Sequence, residues 1–468
     1  MEKNQMKNFL LGIDLGSSSV KVSLVNHTSG SIVASAQYPD SEAPIKALQT
    51  GWAEQSPEDW YCYLRKALQL LWAQPIDNIT TPSDIPSQIA AIGISYQMHG
   101  LVCVDTQGQV LRDAIIWCDS RATCYGTNFT AGKLRWVKDN EPEIYAQTAK
   151  IMLPGDYIAY RLTGQILTSE SGLSEMYWDD NLGLDRDKLP TIIPSFSLQG
   201  HVTSQAATDL ALQPGIPVTY RAGDQPNNAL SLNVMRCGEI AATGGTSGVV
   251  YGITAGTETD PLSRVNNFVH VNGLTGVLLC INGTGILNAW MRRTVAPEGI
   301  SYADMNQLME TVPVGAEGIS ILPFGNGAER MLQNAEVGCS IHGINFNLHT
   351  KAHLLRAAQE GIAFSFAYGI EIMQQMGLQV QTIKAGYANL FLSPLFRRTL
   401  SAVTGASILL YETDGAAGAA RGADIGAGIY KDADEAFASL RLMATEQPVE
   451  DTLPYQQAYT QWKKLINK

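Results

Sequence analysis

Two stretches of this chain restrict its fold more than any others. Residues 12–25 read GIDLGSSSVKVSLV and residues 238–254 read GEIAATGGTSGVVYGIT. In each, an apolar run stops at a turn of glycine and hydroxyl residues, and a run rich in β-branched residues follows. That is the pattern of a β-hairpin. One copy opens each half of the 468 residues, which points to a duplicated mixed α/β architecture with one lobe per half. Asp14 is the anomaly. It sits among Leu11, Ile13 and Leu15, where an uncompensated carboxylate is costly.

The turns suggest what the acid is for. A tight turn exposes backbone N–H groups in a concavity that suits phosphate oxygens, and Ser or Thr adds hydroxyl donors. The first turn offers Gly16, Ser17, Ser18 and Ser19, with Lys21 nearby; the second offers Gly245, Thr246 and Ser247 between Gly244 and Gly248. One such turn is an ordinary hairpin loop, but two matching turns imply a nucleotide clamped between lobes. Asp14 can then hold Mg²⁺, usually through water; the alternative is an Asp that caps its own turn. The chain has no GxxxxGK[ST] loop, so this is not a Walker-type site. Asp224, in YRAGDQPNNAL, is either a helix N-cap or a general base within reach of a substrate hydroxyl. Gln97, Met98 and His99, in SYQMHGL, could line a polyol pocket, although a lone histidine is more often structural. No HExxH or HxH pattern supports a zinc-type centre, and no GxSxG elbow or Cys–His pair supports nucleophilic catalysis.

Bulk properties agree with an enzyme of two to three domains. Hydrophobic residues make up 45% and charged residues 16%, enough for large cores without a disordered composition. A net charge of −12 argues against nucleic-acid and anionic-membrane partners. The 7 cysteines are scattered without CxxC spacing and read as reduced thiols. With no signal-peptide pattern at the N-terminus and no apolar stretch near the ~20 residues that span a bilayer, the expectation is a cytoplasmic protein. Ser56 and Pro57 start a helix whose Trp60, Leu64, Leu68 and Leu71 share a face. TAGKLRWVKDNEPEIY and LPGDYIAYRLTG read as further helices, the second stopped by Gly164. The segment LALQPGIPVTYRAGDQPNNALSLNVM, which contains Asp224, reads as a Pro/Gly-marked strand entry, then a turn, then a helix. A long helix closes at Gly377, and DGAAGAARGADIGAGIY is made of residues small enough for close backbone approach.

These segments together resemble the FGGY family of carbohydrate kinases from end to end. GIDLGSSSVK is similar to the family's DxGTxxxK hairpin, with Ser17 at its Thr; GISYQMHGLV is similar to its pentulose-binding strand and loop. AIIWCDSRA matches WxDxR, AGDQPNNA resembles the catalytic GGDQxxGA, and GGTSGVV resembles the second phosphate hairpin. TAGKLRWVKDNEPEIY and GINFNLHTKAHLLRAAQEGIAF are close to the two family signatures. The resemblance implies two lobes of the ribonuclease H-like (actin/Hsp70) fold, residues 1–236 and 237–468, closing on ATP and a sugar. It further implies that Asp224 is the catalytic base, Asp14 the Mg-linked acid, and Met98 and His99 the sugar contacts. On the adenosine side, KAGYANLFLSP replaces the family's Gly-Gly-Gly run before Ser-Pro, and Gly386 and Asn389 are its plausible remnants. Gly155, Glu170 and the QPNN after Asp224 also depart from common family residues. QMHG separates the chain from glycerol kinases but not from sedoheptulokinases. The expected reaction is transfer from ATP·Mg²⁺ to O5 of a ketopentose, D-xylulose first, with ribulose, sedoheptulose, fuculose and glycerol to be compared. A non-kinase ATPase on the same fold is the rival from another class. The expected partners are the sugar and ATP, with a second copy of the chain as the candidate protein partner.

Overall fold

A computed structural model describes residues 7–76, 85–257 and 259–466. Contacts divide the chain into two units. One holds Met1–Asn233, Phe268–Gly273 and Thr413–Leu440; the other holds Val234–Asn267, Leu274–Glu412 and Arg441–Lys468. The boundary expected at 236/237 thus falls within three residues of the first break. A single cut misses that 413–440 returns to the first unit.

In the first unit, six strands form one sheet: β1 (Phe9–Leu15), β2 (Val20–Asn26), β3 (Ile32–Tyr38), β4 (Ile89–Tyr96), β5 (Phe196–His201) and β6 (Pro217–Gly223), in the order β5-β6-β4-β1-β2-β3. β1, β4 and β6 are parallel neighbours; β2, β3 and β5 are antiparallel to theirs. The parallel strands are buried and nearly continuously apolar, as strands covered on both faces must be. One cover is the helix Pro57–Trp72. Its cap is the expected one, with Ser56 Oγ accepting the Asp59 N–H, and Trp60, Leu64, Leu68 and Leu71 are buried. Each fully buried Leu stabilises by about 1.5–3 kcal/mol, which fastens the helix to the sheet.

The other cover is Gly415–Gly426, and its small residues now have a reason. Gly12 and Gly93 are register partners on β1 and β4. A Cβ at Gly12 would run into the Ala416 carbonyl, and one at Gly93 into the Ala419 carbonyl. The helix therefore lies directly on the strand backbones, and Thr219 Oγ1 reaches across to donate to the Ala423 carbonyl at 2.7 Å.

Six longer strands of the second unit repeat the plan. They are β7 (Glu239–Gly244), β8 (Gly248–Thr254), β9 (Thr275–Ile281), β10 (Thr382–Gly386), β11 (Ser407–Tyr411) and β12 (Leu442–Glu446), in the order β9-β8-β7-β10-β11-β12. β7, β10 and β11 are parallel, and the flanking strands are antiparallel. This is the same sequence of pairings as in the first unit, so the duplication read from the two hairpins extends to all six of its strands; a short seventh strand, Asn266–Val269, adds to the β9 edge. The long helix Lys351–Gln375 ends just before Gly377, which has φ +94°.

Two local expectations change. Residues 130–145 form two helices, Thr130–Asn140 and Pro142–Gln147, because a residue before proline is pushed out of the helical region; Glu141 indeed has φ −132° and ψ 60°. No turn separates β6 from the helix Asp224–Ser231: Gly223 is its N-cap and Asp224 its first residue.

The Gly93→Ala variant should unfold at lower denaturant concentration, with a loss at or above the upper end of the ~1–3 kcal/mol typical of overpacking, since the obstacle is backbone. Urea titration followed by circular dichroism measures it; unchanged stability would show that the helix does not sit on the sheet as described.

Candidate active site

The three parallel strands of the first unit deliver their C-terminal ends to one edge, where ligands of open α/β sheets bind. β1 brings Asp14, with Lys21 opposite on β2 and Ser95 opposite on β4. β4 ends at Tyr96 and hands on Gln97, Met98 and His99. β6 ends at Gly223 and Asp224 follows at once.

Asp14 and Asp224 are brought together. Burial, with the nearby Asp14 charge adding to it, pushes the Asp224 carboxyl up to about 7 against hydrogen bonds at the helix start that act the other way. Burial also raises Asp14, Asp414 adds to this, and Ser95 and Lys21 oppose it. Asp14 lies against Gly415, at the positive end of a helix dipole. The reading of Asp224 as an N-cap is excluded, because Gly223 holds that position.

The first hairpin loop is built as a donor cradle. Gly16 N–H closes the turn on the Ser19 carbonyl at 3.0 Å, and Ala43 N–H donates to the Ser18 carbonyl at 2.7 Å. The N–H groups of Ser17, Ser18 and Ser19 make no hydrogen bond to the described residues. Lys21 is committed elsewhere: its Nζ is 2.6 Å from Asp414 Oδ2, while Asp414 Oδ1 caps the helix by accepting the Ala417 N–H.

The QMHG loop serves two purposes. Gln97 Nε2 donates to Gln55 Oε1 at 3.2 Å, and Gln55 Nε2 donates to the Ser17 carbonyl at 2.7 Å, so Gln97 braces the hairpin. Met98 packs on Gly223: a Cβ there would be 2.5 Å from Met98 Cγ and 2.7 Å from Glu175 Oε2. His99, at φ 61°, places its ring against Phe129 and Phe268, with centroids 4.4 and 5.4 Å away. Its Nδ1 lies 3.0 Å from the Glu175 carbonyl, which requires an N–H there and leaves Nε2 as an acceptor. Burial, aided by Lys133, pushes the imidazole down to about 3. Lys133 Nζ donates to the His99 carbonyl at 2.7 Å, and burial brings this ammonium down to about 7. Lys133 and Glu175 were not singled out in the sequence, where each is one charge on an ordinary helix.

In the second unit, the loop Gly245–Ser247 rests on the start of the helix Gly285–Thr294: Gly285 and Ile286 N–H donate to the Gly245 and Thr246 carbonyls at 3.0 and 3.1 Å. Gly245, Thr246 and Asn389 line a cavity of ≈ 560 Å³, within the range of small-molecule sites. Ser247 and Gly386 do not line it. Asn288, Arg293, Asn306, Gln359 and Ser393 do, and sequence reasoning missed all five. They come from four separate elements, Asn288 and Arg293 sharing the helix Gly285–Thr294, and only the closeness of Asn288 to the GTG of 283–285 offered a hint. Among the described residues, no three His, Cys, Asp or Glu side chains group as metal ligands, and no helix is long and apolar enough to cross a membrane.

Twin sheets of one strand order, each opening at a hydroxyl-rich phosphate-type hairpin, define a two-lobed ATPase fold of the actin/Hsp70 class. The chain belongs to the FGGY family of carbohydrate kinases: the N-terminal domain of that family matches residues 9–128 and 123–231, and its C-terminal domain matches 240–429. It is 31% identical to the xylulose kinase of Bacillus subtilis over 411 residues, 80% of this chain and 79% of that one. Two solved structures from Lactobacillus acidophilus, a ligand-bound xylulose kinase and a gluconate kinase, each superpose with a TM-score of 0.87 at 22% identity. They cover 98% of this chain and 98% and 97% of theirs. Equal likeness to kinases named for different sugars means that this superposition carries the fold alone.

With a pKa near 3, the His99 ring should stay neutral throughout the usual working range. Its ring NMR signals should not titrate between about pH 5 and 9; a midpoint near the ordinary value of about 6.5 would show that the ring is hydrated.

Proposed function

We propose that this carbohydrate kinase phosphorylates D-xylulose at O5 with ATP, giving D-xylulose 5-phosphate and ADP. The observation that carries the reading is Asp224: a carboxyl at a helix start, buried beside Asp14 and pushed up to about 7. That is where a general base is poised for neutral pH. Identity to the Bacillus subtilis xylulose kinase and the QMHG loop support the choice of sugar.

In this reading Met98 lies against the carbon skeleton, and His99 Nε2 accepts a hydrogen bond from a sugar hydroxyl. The Nδ1–H bond to the Glu175 carbonyl fixes the tautomer that makes this acceptance possible. Asp224 Oδ takes the proton of the O5 hydroxyl as that oxygen attacks the γ-phosphorus, and the proton stays on the carboxyl until product leaves. Ser17, Ser18 and Ser19 N–H groups donate to phosphate oxygens as charge develops on them. In the second unit, the cavity lined by Gly245 and Thr246 takes the nucleoside. Mg²⁺ fits this donor set, since it is commonly held by one or two carboxylates plus phosphates; Asp14, short of compensating charge, would hold it through water, where it neutralises phosphate charge. The protein acts in the cytoplasm, where both substrates are found.

A second reading, a sugar-independent ATPase, is separated by one assay. ADP release should rise strongly with D-xylulose and less with ribulose, sedoheptulose, fuculose or glycerol; indifference to every sugar would overturn the kinase.

Asp224→Asn should bind ATP yet lose turnover by ~10²-fold or more; near wild-type turnover would remove Asp224 from the chemistry. In the wild type, kcat/KM should rise with pH through about 7 as Asp224 becomes the active carboxylate, then level off. Stability runs the opposite way. An acid raised from 3.8 to about 7 contributes stability that is present at low pH and lost as pH rises through the folded value. Asp224→Asn should therefore melt higher than the wild type above about pH 7, a gain that scanning calorimetry reads and that shrinks as the pH is lowered.

A further inference from the structure

At one end of the second unit's cavity stands a tyrosine with one face of its ring already taken. Tyr302 opens the helix Tyr302–Glu310, whose N-cap Ser301 accepts the Asp304 N–H at 3.1 Å. Arg292 lies over the ring, its guanidinium carbon 4.5 Å from the centroid, and Arg292 Nε donates to the Ile300 carbonyl at 2.8 Å. The cation is thus tied to the backbone just before the ring that it covers, and the ring is held from both sides of that tie. Tyr302 lines the cavity and Arg292 does not, so the guanidinium backs the ring from the side away from the cavity. Tyr302 is 44% exposed, and what it can show to the cavity is its other face and its hydroxyl edge.

Helix geometry fixes where along the cavity this ring lies. The helix Gly285–Thr294 starts against the hairpin loop, where Gly285 and Ile286 N–H donate to the Gly245 and Thr246 carbonyls. Gly285, Ala289 and Arg293 all line the cavity, a stripe at helical spacing. At 1.5 Å per residue, Arg293 lies about 12 Å from Gly285 along the axis, and its neighbour Arg292 holds Tyr302 at that end. The cavity therefore runs from a phosphate-type loop to an aromatic ring, and a nucleotide has the same order of parts, from phosphates through ribose to base. We infer that the free face of Tyr302 is the stacking surface for the nucleobase, with Arg292 as the residue that positions it. The inference rests on the reading of the cavity as the nucleoside site, and deepens it by naming the group that holds the base. Every base has a π-face, so the ring supplies affinity without choosing among bases. A ring fixed beforehand by a cation loses little freedom when the base arrives.

Isothermal titration of the full chain with ADP, without sugar, tests this. Tyr302→Leu keeps an apolar side chain and removes the π-face, and its ADP dissociation constant should rise by about tenfold, the scale of one stacked base. Tyr302→Phe keeps the face and removes the hydroxyl, and should bind ADP as the wild type does. Unchanged affinity in Tyr302→Leu, or an equal loss in Tyr302→Phe, overturns the inference and leaves the kinase reading intact; no ADP binding by the wild type overturns both. Arg292→Met should also weaken ADP, but the double variant with Tyr302→Leu should be no weaker than Tyr302→Leu alone, because the cation acts only through the ring. Additive losses would remove Arg292 from the positioning role.

Discussion

Two carboxylic acids in a dry place repel each other, and the first unit is organised around that repulsion. Asp14 and Asp224 reach one sheet edge because β1 and β6 flank β4 in a parallel set, so their C-terminal ends coincide. Burial raises both groups, and each close negative charge adds to the effect. The protein compensates in part, through the Ser95 hydroxyl at Asp14, the Gln225 side chain at Asp224, the starts of two helices, 415–426 and 224–231, and the ammonium of Lys21, which Asp414 already engages. Positive charge at a helix start amounts to a fraction of a unit, less than two carboxylates need. The shortfall is what makes the edge receptive to a cation and to the proton of an alcohol.

That edge is also braced. Gln97, Gln55 and the Ser17 carbonyl form one chain of hydrogen bonds, and Trp60 Nε1 donates to the same Gln55 oxygen at 3.1 Å. Lys133 and the Glu175 carbonyl hold His99 by its own carbonyl and its Nδ1. A residue at φ 61° outside glycine needs such support. The QMHG loop and the first hairpin are therefore coupled through side chains inside one unit. A substitution at Gln55, which touches no reacting atom, would be felt at Ser17 and at Gln97 alike.

What was legible in the sequence was what is local. Each hairpin announces itself within about fifteen residues, through alternation around a glycine turn, and Asp14 and Asp224 stood out because their neighbours are apolar or strand-like. The helix 415–426 could be read as close-packed from its small residues, but nothing in those residues names Gly12 and Gly93 as what it packs on. Its assignment to the first unit is a property of pairing across some four hundred residues. The lining of the second unit's cavity failed to show for the same reason: Asn288, Asn306, Gln359 and Ser393 are each unremarkable in sequence and meet only in the fold. For Lys21 the sequence showed the place beside the hairpin but not the partner, a carboxylate from the distant 413–440 segment.

The duplication is faithful in backbone and unequal in chemistry. β1 and β7 hold the same place in their sheets, each central, each paired with the hairpin partner on one side and a parallel strand on the other. Two residues before the turn glycine, β1 carries Asp14 and β7 carries Thr243. A buried acid at Thr243 would add a second costly carboxylate, whereas a hydroxyl stays neutral. At the corresponding edge, the second unit gathers amides and a guanidinium, groups that hold a ligand without exchanging protons at neutral pH. The duplicated backbone thus carries a pair of buried, titrating carboxylates at one sheet edge and groups that do not titrate at the other.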